Sequence, residues 1–240
     1  MAAPDLEALS DVLDSTWPAA KLQRLGPWIV RDGQGGGKRV SSVTAAGPVT
    51  DADIPQAEAA LAALDQPPLF MIRQGDEVMD AVLAARGYRV VDPVVIYLGR
   101  CADMIDPPPP RLSAIPHWPP LAITEDIWAE AGIGPARIAV MRRATGPKTV
   151  VLGRTRADRP AGVAFVAIHD KIAMLHALEV IPDFRRQGTA NHILRQSAIW
   201  AQDQGAEWFS LVVTAANENA RRLYASLNMQ LVGHYHYRMA

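Results

Sequence analysis

The run Leu178-Glu179-Val180-Ile181-Pro182-Asp183-Phe184-Arg185-Arg186-Gln187-Gly188-Thr189-Ala190 carries two arginines and a glycine where an apolar strand passes into a helix. That is the chemistry of an anion cradle. Gly188 lets the backbone approach a pyrophosphate closely, the N–H groups of the first helical turn point at the anion, and the helix dipole adds to the charge of Arg185 and Arg186. Just upstream, Leu175-His176-Ala177-Leu178-Glu179 offers an imidazole and a carboxylate on one strand, and downstream Tyr224 puts a phenol on a helix. Strand alternation puts His176 and Glu179 on opposite faces unless a bulge intervenes, so at most one is expected to face a substrate directly.

Arg185-x-x-Gly188-x-Ala190 resembles the acetyl-CoA pyrophosphate loop of the GNAT superfamily, whose pattern is Gln or Arg, two residues, Gly, one residue, then Gly or Ala. Asn217-x-x-Ala220-x-x-Leu223-Tyr224 resembles the last helix of that family, and the two motifs stand in the family's order. The resemblance covers roughly residues 122–238. It implies an acyl-CoA-dependent N-acyltransferase that moves an acetyl group from acetyl-CoA to a primary amine by direct attack in a ternary complex. It assigns the cosubstrate to Arg185, Arg186, Gln187, Gly188, Thr189, Ala190 and Asn217, with the backbone from Leu178 to Val180 pairing with the pantetheine amides. Tyr224 would reprotonate the departing thiolate. The strand holding His176 is similar to that of aralkylamine N-acetyltransferases, where a histidine helps remove the amine proton through water; a group titrating near neutral pH suits that task, so the resemblance makes His176 the first candidate for the base and Glu179 the second. Acceptor contacts are expected from residues 124–143 and 233–238, where Glu125, Asp126 and Glu130 are candidates to hold an ammonium and Trp128, Tyr235 and Tyr237 to wall an apolar group; for each of them a solvated acidic helix face or an ordinary packing aromatic is the default reading. The alternative is a sensor that binds acyl-CoA without turnover, and the retained Tyr224 counts against it.

The elements that must position these groups follow from periodicity and turn chemistry. After a proline-rich stretch, two short helices (124–131 and 135–143) lead into an antiparallel meander over 149–155, 162–168 and 172–180. A helix over 189–204, a strand over 207–214, a helix over 217–227 and a last strand over 229–237 complete this half. Upstream the sequence predicts a helix over 5–13, a hairpin over 28–44, a helix over 51–64 capped by Thr50, a strand over 69–72, a helix over 76–86 closed by Gly87, and a strand over 88–97. Residues 69–97 echo 209–237, with Leu83 opposite Tyr224 and Gly87 opposite Asn228. The expected class is therefore α/β (α+β): a mixed, mostly antiparallel GNAT-type sheet flanked by helices in a catalytic domain (121–240), preceded by a Pro-rich linker (101–120) and a smaller degenerate GNAT-like domain (1–100). The family usually has one more strand after the last one here, so its place is expected to be filled by the N-terminal half, with 88–97 the candidate, or by another subunit.

Composition narrows the partners. Lys plus Arg total 24 against 25 for Asp plus Glu, so a net charge of -1 leaves no electrostatic footprint for nucleic acid or an anionic membrane, and a small-molecule or peptide amine is the expected acceptor. A homo-oligomer stays open. The single cysteine, Cys101, cannot form an intrachain disulfide, and no Cys/His spacing suggests a metal. No leader-like or membrane-spanning segment is apparent, so a cytoplasmic location is expected.

Overall fold

The computed structural model describes residues 3–240. In chain order, α1 (Leu6–Thr16) is followed by β1 (Lys21–Leu25), β2 (Trp28–Asp32), β3 (Val43–Ala45), α2 (Ile54–Ala62), β4 (Leu69–Arg73), α3 (Glu77–Ala85) and β5 (Arg89–Arg100). Next come α4 (Cys101–Met104), β6 (Ala114–His117), α5 (Ala122–Glu130), α6 (Pro135–Arg143), β7 (Lys148–Arg154), β8 (Pro160–His169) and β9 (Ile172–Val180). The chain ends with α7 (Thr189–Asp203), β10 (Trp208–Thr214), α8 (Glu218–Ser226) and β11 (Gln230–Met239). Among the described residues no helix is long and apolar enough to cross a membrane.

Two compact units form, and they do not follow chain order. The first joins the residues up to Pro18 with 96–212 and 218–232; the second joins 19–95 with 213–217 and 233–240. The segment 101–120, expected to be a linker, lies inside the first unit and carries α4 and β6. β6 pairs antiparallel with β7 from Ala114↔Gly153 to His117↔Val150. Proline is tolerated there because β6 ends the strand order and needs ladder donors on one side only.

In the first unit the strands run β5-β10-β9-β8-β7-β6. β7, β8 and β9 form the expected antiparallel meander, and β10 joins β9 in parallel. β5 lies beside β10, and Ser210 Oγ donates to Tyr97 O at 2.9 Å. The upstream half of the chain thus fills the place of the missing strand. Helices α1 and α5 pack on β8 and β9, and α7 packs on β6 to β9. Two facing glycines, Gly153 and Gly162, let the first turn of α7 settle onto its side of the sheet. A Cβ on Gly153 would lie 2.7 Å from Ile193 Cδ1 and 2.8 Å from Thr189 Cγ2, closer than packed atoms approach.

The second unit has the strand order β1-β2-β3-β4-β11. β1, unforeseen in the sequence, pairs antiparallel with β2; β3 meets β4 in parallel at Val43↔Phe70; β11 runs antiparallel to β4 from Tyr235↔Arg73 to Met239↔Leu69. Trp28, Phe70, Leu83 and Tyr88 centre its core. Tyr235 and Tyr237, candidates for the wall of an acceptor site, are packing aromatics instead, buried in this unit beside the Arg39 side chain.

Candidate active site

The site is organised by β9. Its parallel register with β10 runs from Trp208↔Ile172 to Leu211↔Leu175, while β9 itself continues to Val180. Beyond Leu175 that edge of β9 is open. On its other side the register to β8 shifts: Phe165 faces His176 and Val163 faces Glu179, so Ala164 alone opposes Ala177 and Leu178. This is a β-bulge, with Ala177 in the left-handed region at φ 52. Phe165 and Val163 are two apart and share a face, so His176 and Glu179 share one too. The bulge cancels the alternation that would have separated them.

The two side chains nevertheless meet different surroundings. His176 is only 4% exposed, with its ring 5.0 Å from that of Trp17 and 6.2 Å from that of Phe165. Its Nε2 lies 2.8 Å from Thr16 Oγ1, and the single Thr16 hydroxyl proton is donated to Val12 O at 2.6 Å. Thr16 therefore accepts, and His176 Nε2 carries a proton. Glu179 lines a cleft of about 240 Å³ together with Ile127, Glu130, Ala131, Val180, Pro182 and Arg185. That volume far exceeds the roughly 10–15 Å³ that admits one water. Burial holds the Glu179 carboxyl above its ordinary value, against the pull of Arg185 and Arg137.

Tyr224, on α8, is 6% exposed and its ring meets that of Tyr97 edge-on at 5.5 Å. Burial, with help from the Glu179 carboxylate, pushes its phenol up to about 12. It is a fully loaded proton donor at neutral pH. Trp128, a candidate wall, takes the packing role: it is wholly buried, and its Nε1 donates to Ala177 O at 2.8 Å. Glu125 forms an exposed ion pair with Arg142 at 3.1 Å, whereas Glu130 belongs to the cleft.

The loop after β9 has the geometry an anion cradle requires. A single 3-10 turn over Pro182–Phe184 leads to Arg186 at φ 63 and Gly188 at φ 87, and α7 begins at Thr189 with no side-chain cap. Its first-turn amides therefore have no intrahelical partner. Arg186 and Gln187 are exposed, Thr189 is buried against the sheet and Ala190 is half-buried. Arg185 Nε donates to Val180 O at 3.1 Å, and Gln187 Nε2 to Asp183 O at 3.3 Å. The His192 ring packs 3.5 Å from where a Gly188 Cβ would stand. Asn217 falls in the short piece 213–217 of the second unit, one residue before α8. Among the described residues no group of three or more His, Cys, Asp or Glu could hold a metal ion.

Residues 116–229, which hold the splayed strand, the loop and Tyr224, match the Acetyltransferase (GNAT) family. That segment is a GNAT-family acetyltransferase domain. Over 249 aligned positions, 98% of both chains, it is 24% identical to the Uncharacterized N-acetyltransferase YobR of Bacillus subtilis (strain 168). Its fold is similar to that of a GCN5-related N-acetyltransferase from Kribbella flavida, with a TM-score of 0.69 at 18% identity over 99% of this chain and 96% of that one. It is also similar to a tandem GNAT protein from the clavulanic acid biosynthesis pathway, with a TM-score of 0.63 at 12% identity over 83% of this chain and 74% of that one.

Sequence reasoning missed the bulge, the paired glycines and Arg137. Glycines inside two adjacent apolar strands were the signal for the second, since a strand interior uses glycine where another element must come close. Nothing in one-dimensional alternation announces the bulge.

Proposed function

We propose that the GNAT domain transfers an acetyl group from acetyl-CoA to a primary amine by direct attack, with Glu179 accepting the amine proton and Tyr224 supplying the proton to the departing thiolate. The observation that carries this reading is the shared position of Glu179: it lines the cleft beside the open edge of β9 and interacts electrostatically with Tyr224. The pyrophosphate would rest on the amides and cations from Arg185 to Ala190, and the open backbone edge from Leu178 to Val180 would take the pantetheine arm. Bound acetyl-CoA supplies the activated carbonyl. The amine nitrogen forms the new C–N bond as the C–S bond breaks, one amine proton passes to Glu179, and the sulfur takes the Tyr224 proton.

The two transfers help each other. A phenol at about 12 gives its proton reluctantly to a thiolate whose ordinary value is near 8.5. Part of that reluctance is the negative charge on Glu179. Once Glu179 is protonated the charge is gone, and Tyr224 becomes the stronger acid at the moment it is needed. His176, with Nε2 committed to Thr16, takes a supporting place in this reading.

We further read the second unit as a degenerate GNAT copy, so that the chain as a whole is a tandem arrangement binding one acyl-CoA. The echo of 69–97 in 209–237 and the likeness to a tandem GNAT protein support this.

Thiol release from acetyl-CoA across a panel of amines tests the reaction; an absence of release with every amine would leave only the sensor. Glu179→Gln should lower kcat/KM at neutral pH by roughly 10²- to 10⁴-fold, the ordinary weight of a general base. Because burial raises the Glu179 carboxyl, the acidic limb of the wild-type profile should lie above the ordinary glutamate value and vanish in the variant. An unchanged limb would return the role to His176.

A further inference from the structure

We propose that Thr16 and Trp128 are positioning residues that hold the bulge at Ala177 and thereby aim Glu179 into the cleft. This rests on the reading of Glu179 as the base. The bulge is what brings Glu179 onto the face of His176, since a regular strand would turn it to the side where α7 packs. Nothing in Ala177 itself favours the bulge. An alanine at φ 52 sits where residues with a Cβ are disfavoured, so neighbouring contacts must impose the conformation.

Two contacts do so, one on each of two successive residues. The Trp128 indole, from α5, donates to the carbonyl of Ala177 at 2.8 Å. Thr16, from the last turn of α1, accepts from His176 Nε2 at 2.8 Å, and its own proton is fixed by Val12 O. Trp17, the C-cap of α1, lies against the same imidazole. Thr16, His176 and Trp128 are buried and Ala177 is half-buried, so breaking either bond takes a partner from a buried polar side chain. α1 lies well before residue 116, where the family match begins, so one of the two clamps is a contribution of this chain from outside the matched domain.

Loss of a clamp is not expected to drive Glu179 to the α7 side, where a carboxylate would be buried among apolar groups. The end of β9 loosens instead, and the carboxyl gains water. The charged and titratable groups around it are Arg185 after the strand, Arg137 on α6, Glu130 on α5, Tyr224 on α8 and His176 on its own strand.

The test follows the Glu179 carboxyl by carbon NMR titration in the full chain, alongside the rate. In Thr16→Val and Trp128→Phe the titration should fall toward the ordinary glutamate value of about 4.3, and kcat/KM at neutral pH should drop about tenfold or more, as for a base moved off its geometry. Thr16→Ser, which keeps the hydroxyl, should retain both. If Thr16→Val does not fold, Trp128→Phe carries the test alone. Folded variants whose Glu179 titration stays in place overturn the clamp. A titration that moves while the rate stays the same leaves the clamp standing and removes Glu179 as the base.

Discussion

Helices α2 and α7 each follow a strand that lies in parallel beside the next one, β3 beside β4 and β9 beside β10, yet their N-termini are built for opposite purposes. Before α2, Thr50 and Asp53 form a capping box, Asp51 adds a second carboxylate and Pro55 removes a donor. That end satisfies itself and repels anions. Before α7, Gly188 in the left-handed region leaves the first-turn amides open, with two arginines ahead of them and no acidic residue in the first turn. Similar topology therefore does not by itself leave a helix end open to an anion. Unsatisfied donors and positive charge are needed as well.

The same contrast recurs one helix later. Helix α3 closes with Gly87 at φ 86 and a bond from Tyr88 N to Leu83 O at 3.1 Å; α8 closes with Asn228 at φ 60 and a bond from Met229 N to Tyr224 O at 3.2 Å. The backbone lock is shared, and what it presents differs: an apolar Leu83 in one, a phenol in the other. The largest expected effect follows. Tyr224→Phe should leave acetyl-CoA affinity nearly intact and lower kcat by roughly 10²- to 10⁴-fold, read by steady-state kinetics with calorimetry as the control. Leu83→Ala should show the reverse pattern, losing about 2–5 kcal/mol of stability from a buried leucine with no loss of kcat in the folded protein. A phenylalanine variant of full activity would mean that water protonates the sulfur and that the two helices do not differ in chemistry.

Gly188→Glu is the next test, because it gives α7 what α2 already has. A carboxylate at the open amides should weaken acetyl-CoA binding by about 100-fold or more in calorimetry, given that hydrogen bonds to charged groups contribute about 1.5–3 kcal/mol each. Gly188→Ala separates charge from strain. Its Cβ would meet only ordinary contacts, 3.5 Å from His192, so it should cost mainly the roughly 1–2 kcal/mol of a left-handed alanine. Equal affinities for the two variants would mean that backbone conformation, and not charge, governs the site.

Much of this contrast was legible in the sequence. The motif from Arg185 to Ala190 and the Thr50 cap are local, and local chemistry decides them. The order of the elements was legible for the same reason, since helix and strand periods and the turns at Gly87 and Asn228 are written within a few residues. What the sequence hid is non-local. Alternation predicted opposite faces for His176 and Glu179 because a bulge depends on what Trp128 and Thr16 do from other helices. Pro116 hid β6 because an edge position is a property of the sheet and not of the residue. Trp128, Tyr235 and Tyr237 take the packing role that is the default for such aromatics, because an aromatic near a motif looks the same in one dimension whether it faces a ligand or a core.

The smallest expected effect tests the other side of the comparison, the self-satisfied end of α2. Thr50 Oγ1 donates to Asp53 Oδ2 at 2.7 Å, and the Thr50 amide donates to the same oxygen at 2.8 Å. Thr50→Ala removes the first of these bonds and the hydroxyl that accepts from the helix. A helix cap of this kind contributes about 1 kcal/mol, and a chain of this size should lose roughly 2–4 °C in Tm. Acetyl-CoA affinity should not change, because no anion site lies at α2. The pH dependence has a definite sign. The Thr50 hydrogen bonds hold the Asp53 carboxyl below its ordinary value of 3.8. Their share of stability is therefore present above that value and lost as pH falls through the depressed one. The gap in Tm between wild type and Thr50→Ala should narrow in acid for that reason. A gap that stays constant with pH would mean that the box acts through helix geometry alone, and a loss of acetyl-CoA affinity in this variant would mean that the two helix ends are not as different as their caps make them.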